Sequence, residues 1–257
     1  MTATTVANPE IAPSSFYGAP HTGSAPIVAR EGWTIIALFT APTVAAGVGA
    51  GLTSGPIAVT LWVLTGILAL LTLWAIWFFR DPERAPAATE DLSRCAVCPA
   101  DGVVVKIDQA TPPPDAVAAV GDSGAPRTRM CVFMNVFNVH VNRTPFEGTV
   151  EKLAYHHGAF FNASFDKASD LNERASMVLR LADGSRAFVV QIAGLVARRI
   201  VCKVREGQTL RPGERYGLIK FGSRVDLYLP DGYEPAVTKG QRVFAGQTIL
   251  ARKPKNP

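Results

Sequence analysis

The chain has 257 residues, 26 Lys and Arg against 21 Asp and Glu, a formal net charge of +5 and four cysteines. That length admits one sizeable domain with additional segments, and the modest basic excess, without a stripe of interleaved aromatic and basic residues, argues against a nucleic-acid partner. Mean hydropathy is positive, which is unusual for a soluble protein, and the cause is local.

Residues 1–32 are rich in Ala, Pro, Ser and Thr and are expected to form a flexible tail. No basic run precedes an apolar stretch there, so a cleavable signal peptide is not expected. From Trp33 to Phe79 there is no Asp, Glu, Lys, Arg or His. The stretch 57–79 is long enough to cross a hydrocarbon core of about 30 Å at about 1.5 Å per residue. The stretch 33–53 carries Pro42 and many Gly and Ala, but it is uncharged and begins at an interfacial-type Trp33. Thr53, Ser54, Gly55 and Pro56 make a turn between them, so a transmembrane hairpin (33–53, 57–79) is expected. Arg30 precedes it, Arg80, Arg84 and Arg94 follow it, and the turn has no basic residue. Positive charge stays on the inner side, which predicts the cell (inner) membrane, with the C-terminal domain on its cytoplasmic face.

A cytoplasmic domain keeps cysteines reduced. Cys95-x-x-Cys98 has no second pair at zinc-site spacing, so no metal is expected. From residue 80 to 257 the chain is β-rich. Strand-like runs occupy 102–108, 129–136, 148–156, 176–182, 187–194 and 198–204, punctuated by Gly, Pro, Asp and Asn. The stretch 111–126 is expected as an exposed loop, and 162–176 as a loop or lid.

The run 204–219 (VREGQTLRPGERYGLI) returns 33 residues later as 237–252 (VTKGQRVFAGQTILAR). CPADGVVVKID (98–108) has the look of a strand entering the same kind of hairpin. Together these resemble the half-motifs of biotinyl- and lipoyl-like domains, which implies a mainly β fold, a β-sandwich whose two similar halves pack on each other.

One strand-like run, LIKFGSRVDLYLP (218–230), holds Gly222-Ser223. Alternation places Ser223 on an apolar face with Ile219, Phe221, Val225, Leu227 and Leu229. Gly within a strand marks a bulge or a close approach, and the plain structural reading is a bulge with a satisfied Ser. His140 sits in an alternating run, VFNVHVNRTP (136–145), and Asp101 precedes a strand. Read alone, these are a structural strand His and an Asx-turn Asp.

FFRDPER (78–84), PADGVVV (99–105), FNVHVNRTPFEG (137–148), NER (172–174), QIAGLVARRIVC (191–202) and GLIKFGSRVD (217–226), with their spacing, closely resemble the phosphatidylserine decarboxylase family, in its short bacterial and archaeal form. The resemblance runs from about Phe78 to Ala251. It implies a proenzyme that cuts itself between Gly222 and Ser223, leaving Ser223 as a covalent pyruvoyl group. By the family pattern His140 is the base that activates the Ser223 hydroxyl and Asp101 orients it. It also implies a pyruvoyl ketone that forms a Schiff base with phosphatidylserine, releasing carbon dioxide and phosphatidylethanolamine. Longer bacterial members carry a second His three residues before this one, where this chain has Phe137. Arg143, Arg174, Arg198 and Arg199 are the candidates for the lipid phosphate. The implied partners are membrane phosphatidylserine and the large and small chains of one proenzyme, with room for a higher oligomer. Two other readings compete: a membrane-anchored lipoyl-like adaptor without catalysis, and a pyruvoyl decarboxylase of a soluble amino acid.

Overall fold

The computed structural model describes residues 27–86, 91–159, 172–194, 199–220 and 222–254. The predicted tail up to residue 26, the core of the predicted lid (162–171) and Arg198 lie outside the described residues. The rest falls into two compact units, one ending at Glu83 and the other beginning at Arg84.

The first unit is a pair of helices, α1 (Trp33–Leu52) and α2 (Pro56–Phe78). Gly55, at φ +70°, turns the chain, and Pro56 opens α2 at a position that has no use for its missing N–H. The helices pack through small residues. Ala46 and Ala50 are buried, Gly47 faces Thr65, and the Thr43 and Thr72 hydroxyls stand 3.4 Å apart. Small residues let helix backbones approach closely where water supplies no driving force. Leu38, Val44, Ile57, Leu70 and Leu73 point outward and are exposed. Both helices are long and apolar enough to cross a membrane.

The second unit is mainly β. Its strands are β1 (Cys95–Val97), β2 (Gly102–Ala110), β3 (Arg127–Met134), β4 (Val141–Arg143), β5 (Gly148–His156), β6 (Arg174–Arg180), β7 (Arg186–Ala193), β8 (Arg199–Cys202), β9 (Thr209–Leu210), β10 (Arg215–Lys220), β11 (Ser223–Tyr228), β12 (Glu234–Pro235), β13 (Arg242–Val243) and β14 (Ile249–Arg252). The main sheet runs β13-β2-β3-β11-β7-β6-β5-β9, and two smaller sheets run β1-β14-β12 and β4-β10-β8. The segment 111–126 is not simply a loop. It contains a short helix, α3 (Pro114–Ala119), whose Ala116 packs on Phe188, Val190 and Tyr228.

The order of the main sheet reads as a palindrome, because the chain builds one unit twice. Gly102–Ile107 and Gly148–Leu153 open β2 and β5 with the same bulge, at Val104/Lys106 and at Val150/Lys152. Val104 exchanges backbone hydrogen bonds with Gly240 and Gln241, and Val150 does the same with Gly207 and Gln208. The Gln241 and Gln208 side chains each accept from the amide three residues earlier, Thr238 and Arg205. Gly246 donates to the Cys98 carbonyl and Gly213 to that of Thr144, both at 2.8 Å. The two glycines touch each other between the halves. The echo read in the sequence is thus a matched set of contacts.

The run 218–230 is two strands, not one. β10 ends at Lys220 in a three-stranded sheet, and β11 starts at Ser223 in the main sheet. The alternation holds within each piece: Ile219, Val225, Leu227 and Leu229 all enter the main core. The other face of β11 is buried too. Arg224 is 2% exposed and forks the Asp226 carboxylate at 2.8 and 3.0 Å, while Arg129 forks Asp108 beside it. A buried guanidinium is tolerated only when paired in this way.

Gly102 starts β2 hard against β3. A Cβ there would lie 2.0 Å from the Phe133 carbonyl oxygen, against 2.8 Å from that of Arg180 at the twin position Gly148. Gly102→Ala is therefore expected to destabilise the β unit by about 3 kcal/mol, and Gly148→Ala by less. Thermal melts of both variants in detergent check the order.

Candidate active site

Ser223 is the first residue of β11, paired on one side with Met134 and on the other with Ala193. It is fully buried, and its Oγ has no hydrogen-bond partner among the described residues. A buried hydroxyl without a partner carries a desolvation cost of roughly 1–3 kcal/mol. The satisfied Ser of the plain bulge reading is not what the fold contains.

Gly222 precedes it at φ +67°. A Cβ there would meet nothing within 4 Å, so glycine serves the backbone conformation at this position and not clearance for an approaching atom. The turn it makes carries the chain from one sheet to the other.

His140 reaches this turn. It lies at the start of β4, 2% exposed, and the strand pairing of β4 with β10 brings it beside the crossover. Its Nδ1 stands 2.9 Å from the Asn138 carbonyl oxygen, and its Nε2 accepts from the Gly222 amide at 3.3 Å. A carbonyl only accepts, so the proton sits on Nδ1 and the basic lone pair on Nε2 faces the Gly222 turn. Asn138 itself is pinned by a side-chain bond from the Asn135 amide. This tight turn, with Phe137 at its exposed tip, is what fixes the ring.

Asp101 is 4% exposed. The Arg143 amide donates to the Pro99 carbonyl and the Val97 amide to that of Pro145, so the segment 97–101 runs antiparallel alongside 141–145 and brings Asp101 next to His140 in the chain path. The carboxylate itself turns elsewhere. Arg84 forks it, with 2.9 Å from Nη2 to Oδ2, and the Ala245 amide donates to Oδ1 at 2.8 Å. His140 is not among its hydrogen-bond partners.

Between the two sheets, next to Ser223, the Gln191 amide donates to Asn142 Oδ1 at 2.8 Å, and Asn142 reaches Met134 Sδ at 3.6 Å. Gln191 also lies against Gly217, where a Cβ would crowd it at 3.3 Å. These polar groups inside the core carried no motif signal: a Gln and an Asn in alternating strands look like any outward-facing residue.

Of the four arginines expected at the phosphate, three are among the described residues. Arg143 is buried and donates to the Gly213 carbonyl at 2.9 Å, and Arg174 is paired with Asp115 at 2.6 Å. Arg199 is exposed and stands directly across from Lys220, two residues before Gly222. A cavity of ≈ 410 Å³ lined by Phe146, Glu147, Arg180, Asp183, Tyr233 and Lys253 lies in the other half of the repeat and includes none of Ser223, His140 and Asp101.

Comparison with known proteins decides what this arrangement belongs to. Residues 71–251 match the family model described as phosphatidylserine decarboxylase. The chain belongs to the phosphatidylserine decarboxylase family. It is 55% identical over 192 residues to the phosphatidylserine decarboxylase proenzyme of Nitratidesulfovibrio vulgaris, covering 75% of this chain and 83% of that one. It is 49% identical to the proenzyme of Ruegeria pomeroyi, covering 86% and 93%, and 48% identical to that of Paramagnetospirillum magneticum, covering 86% and 85%. The decarboxylase match takes in all of Asp101, His140, Gly222 and Ser223, and also Arg84.

The four cysteines are packing residues. All four are buried, and the Cys98 thiol donates to the Ala100 carbonyl. Burial pushes the Cys202 thiol up to about 11 and those of Cys98 and Cys131 further still. A thiolate is the reactive form, so at pH 8 these thiols should ignore Ellman's reagent in the native protein and all four should react after denaturation. A thiol that titrates in the native protein would contradict this packing.

Proposed function

We propose that the chain is a self-processing, membrane-anchored phosphatidylserine decarboxylase whose Ser223 is the precursor of a pyruvoyl group. The observation that carries this reading is the buried, unpartnered Ser223 hydroxyl behind a left-handed Gly222, with the basic nitrogen of His140 on the same turn.

The chemistry follows from those groups. His140 Nε2 takes the Ser223 Oγ proton, and the oxygen attacks the Gly222 carbonyl carbon. The Gly222–Ser223 C–N bond breaks, the amine nitrogen takes the proton, and an ester joins Gly222 to Oγ. Loss of the Ser223 Cα proton expels the Gly222 carboxylate and leaves dehydroalanine, whose hydrolysis gives pyruvoyl and ammonia. The position of Ser223 suits that group: a small ketone needs no charged partner, and Met134 and Ala193 flank it. Once formed, the pyruvoyl supplies an electron sink for loss of carbon dioxide from the serine headgroup, yielding phosphatidylethanolamine. His140 stays within reach of the same position and is the candidate for returning the proton. Arg199, facing Lys220, is the best placed of the expected cations for the lipid phosphate, because like charges directly across strands repel and a bridging anion relieves them. Asp101 supports His140 from the neighbouring segment.

In this reading the helical pair is a transmembrane hairpin in the cell membrane and the β unit, a lipoyl-like sandwich, works on the cytoplasmic side. The twofold build of the β unit supports the sandwich, and the outward apolar side chains of α1 and α2 support the anchor. A lipoyl-like adaptor would leave the unpartnered hydroxyl of Ser223 without a purpose.

Intact-mass spectrometry tests the proposal. It should find residues 1–222 and a 35-residue chain (257 − 222) that begins with pyruvoyl. Ser223→Ala should stay whole and inactive, and His140→Ala should process roughly 100-fold slower or worse. A wild-type chain that is active and uncut would sink the reading.

The anchor has its own test. A chain starting at Asp81 should still cut itself, because the described site residues lie from Arg84 onward. Its activity on phosphatidylserine vesicles should fall far more than on a short-chain soluble analogue, because the hairpin raises the effective substrate concentration. Equal activity of both chains on vesicles at every salt concentration would remove that role.

A further inference from the structure

The repeat inside the β unit provides an internal control, because the turn that holds Asp101 is built twice. Asp101-Gly102 opens β2, and Glu147-Gly148, 46 residues on, opens β5 with the same bulge and the same backbone bonds. Whatever the fold needs at that turn should therefore be present in both copies.

The two copies differ around the acid. Asp101 is buried, its Oδ1 accepts from the Ala245 amide, and Arg84 forks both of its oxygens. Arg84 also donates to the Ala245 carbonyl at 3.3 Å, so it ties the 97–101 segment to the 243–248 turn. In the other half the acid is Glu147, which is exposed, and the position of Ala245 is taken by Pro212, which has no N–H to give. The turn closes there without a buried carboxylate: the arginine that reaches it, Arg143, donates to the Gly213 carbonyl and not to Glu147 in any described bond. The Arg84–Asp101 fork is thus not among the contacts the two turns share, and it stands in the half where His140 faces Gly222.

The clamp sits where it can act on that imidazole. The clamped segment runs antiparallel along β4, through Pro99–Arg143 and Val97–Pro145. His140 is the residue just before β4. A two-pronged arginine–carboxylate contact fixes direction as well as distance. A shift of about 1 Å in a general base can cost roughly 100-fold in rate.

We propose that Arg84 is a positioning residue of the self-processing site, holding the Asp101 carboxylate in a guanidinium fork and so fixing the segment against which His140 is set. This rests on the self-processing reading above. Arg84 touches neither Ser223 nor Gly222 among its described contacts; it acts through Asp101.

The test is a double-mutant cycle in the full-length, membrane-extracted chain, reading the rate of conversion to the two fragments by SDS gel and intact mass. Arg84→Gln should slow conversion roughly 10- to 100-fold, and Arg84→Lys, which keeps the charge but not the fork, should slow it less. Added guanidinium ion should partly restore Arg84→Ala, an effect that a general loss of packing would not give. If Arg84 acts through Asp101, the Arg84→Gln/Asp101→Asn double variant should convert no more slowly than Asp101→Asn alone. The double variant carries no unpaired buried charge, so it keeps the comparison usable if Arg84→Gln folds poorly. A normal rate for Arg84→Gln, or a double variant slowed by the product of the two single effects, would overturn the proposal. Ser223→Ala in the same series separates the two layers. If it stays whole while Arg84→Gln converts normally, only the role of Arg84 falls. If Ser223→Ala is still cut after residue 222, the self-processing reading falls and the role of Arg84 with it.

Discussion

The chain must leave one sheet and enter another between Lys220 and Ser223, and the rest of the site depends on that crossover. β10 is the central strand of a small sheet, between β4 and β8, and β11 is a central strand of the large one, between β3 and β7. Both are tied by backbone hydrogen bonds on both sides, so neither can slide. At Gly222 the change of direction is met by a φ of +67° that only glycine adopts without cost. One consequence is that the first hydroxyl of β11 enters the core between two paired strands, without a hydrogen-bond partner among the described residues. Another is that the Gly222 amide, which no ladder uses, turns to the imidazole of His140. The unpaired hydroxyl and the base beside it are both products of the same forced turn.

The internal duplication explains how such a turn can be afforded. Each half contributes a bulged hairpin, a pair of core strands and a glycine turn, and the halves share one hydrophobic core that runs from Ala96 through Val132, Val189 and Leu250. Cohesion is therefore distributed over two nearly equivalent sets of contacts, and departures from the repeat are confined to few places. Asp101 against Glu147 is one, and Ala245 against Pro212 another. Each departure adds a polar constraint on the side of the fold that holds His140. Stability comes from what the halves share, and chemistry from where they differ.

Much of this was legible in the sequence, and the limits have physical causes. The two apolar spans and six of the strands are visible because burial imposes a period on side chains, and the repeat is visible because glycine and glutamine recur at fixed offsets. The break at Gly222 was not. Alternation continues in phase across it, Ile219 and Val225 facing the same core, so periodicity read a single strand where there are two. The helix α3 hid in a stretch whose three prolines read as loop. At the site, Ser223, Gly222 and His140, expected from separate motifs, meet at one turn. Asp101 arrives beside His140 in the chain path but gives its carboxylate to Arg84, a pairing between residues 17 apart that no local pattern encodes. Arg143 and Arg174 were read as open cations because sequence carries no record of a partner. Their partners, the Gly213 carbonyl and Asp115, come from distant segments.

The position of the scissile bond also determines what a cut can change. A break between Gly222 and Ser223 severs the crossover and nothing else: β11 keeps its bonds to β3 and β7, β12 and β14 stay in the small sheet with β1, and β13 stays on β2. The new end at Ser223 therefore stays where the fold put it, in the middle of the large sheet. The other new end, at Gly222, follows a strand of a three-stranded sheet and loses its covalent link to β11. A lipid headgroup needs a route to a residue that is fully buried in the uncut chain. In the proposed processing, one cut at this bond supplies the reactive group and frees the Gly222 end beside it. A site assembled on a loop could gain the first from processing, but not both while leaving the reactive end rigid. That is a physical reason for placing the serine at the start of a central strand, immediately after a turn held by His140.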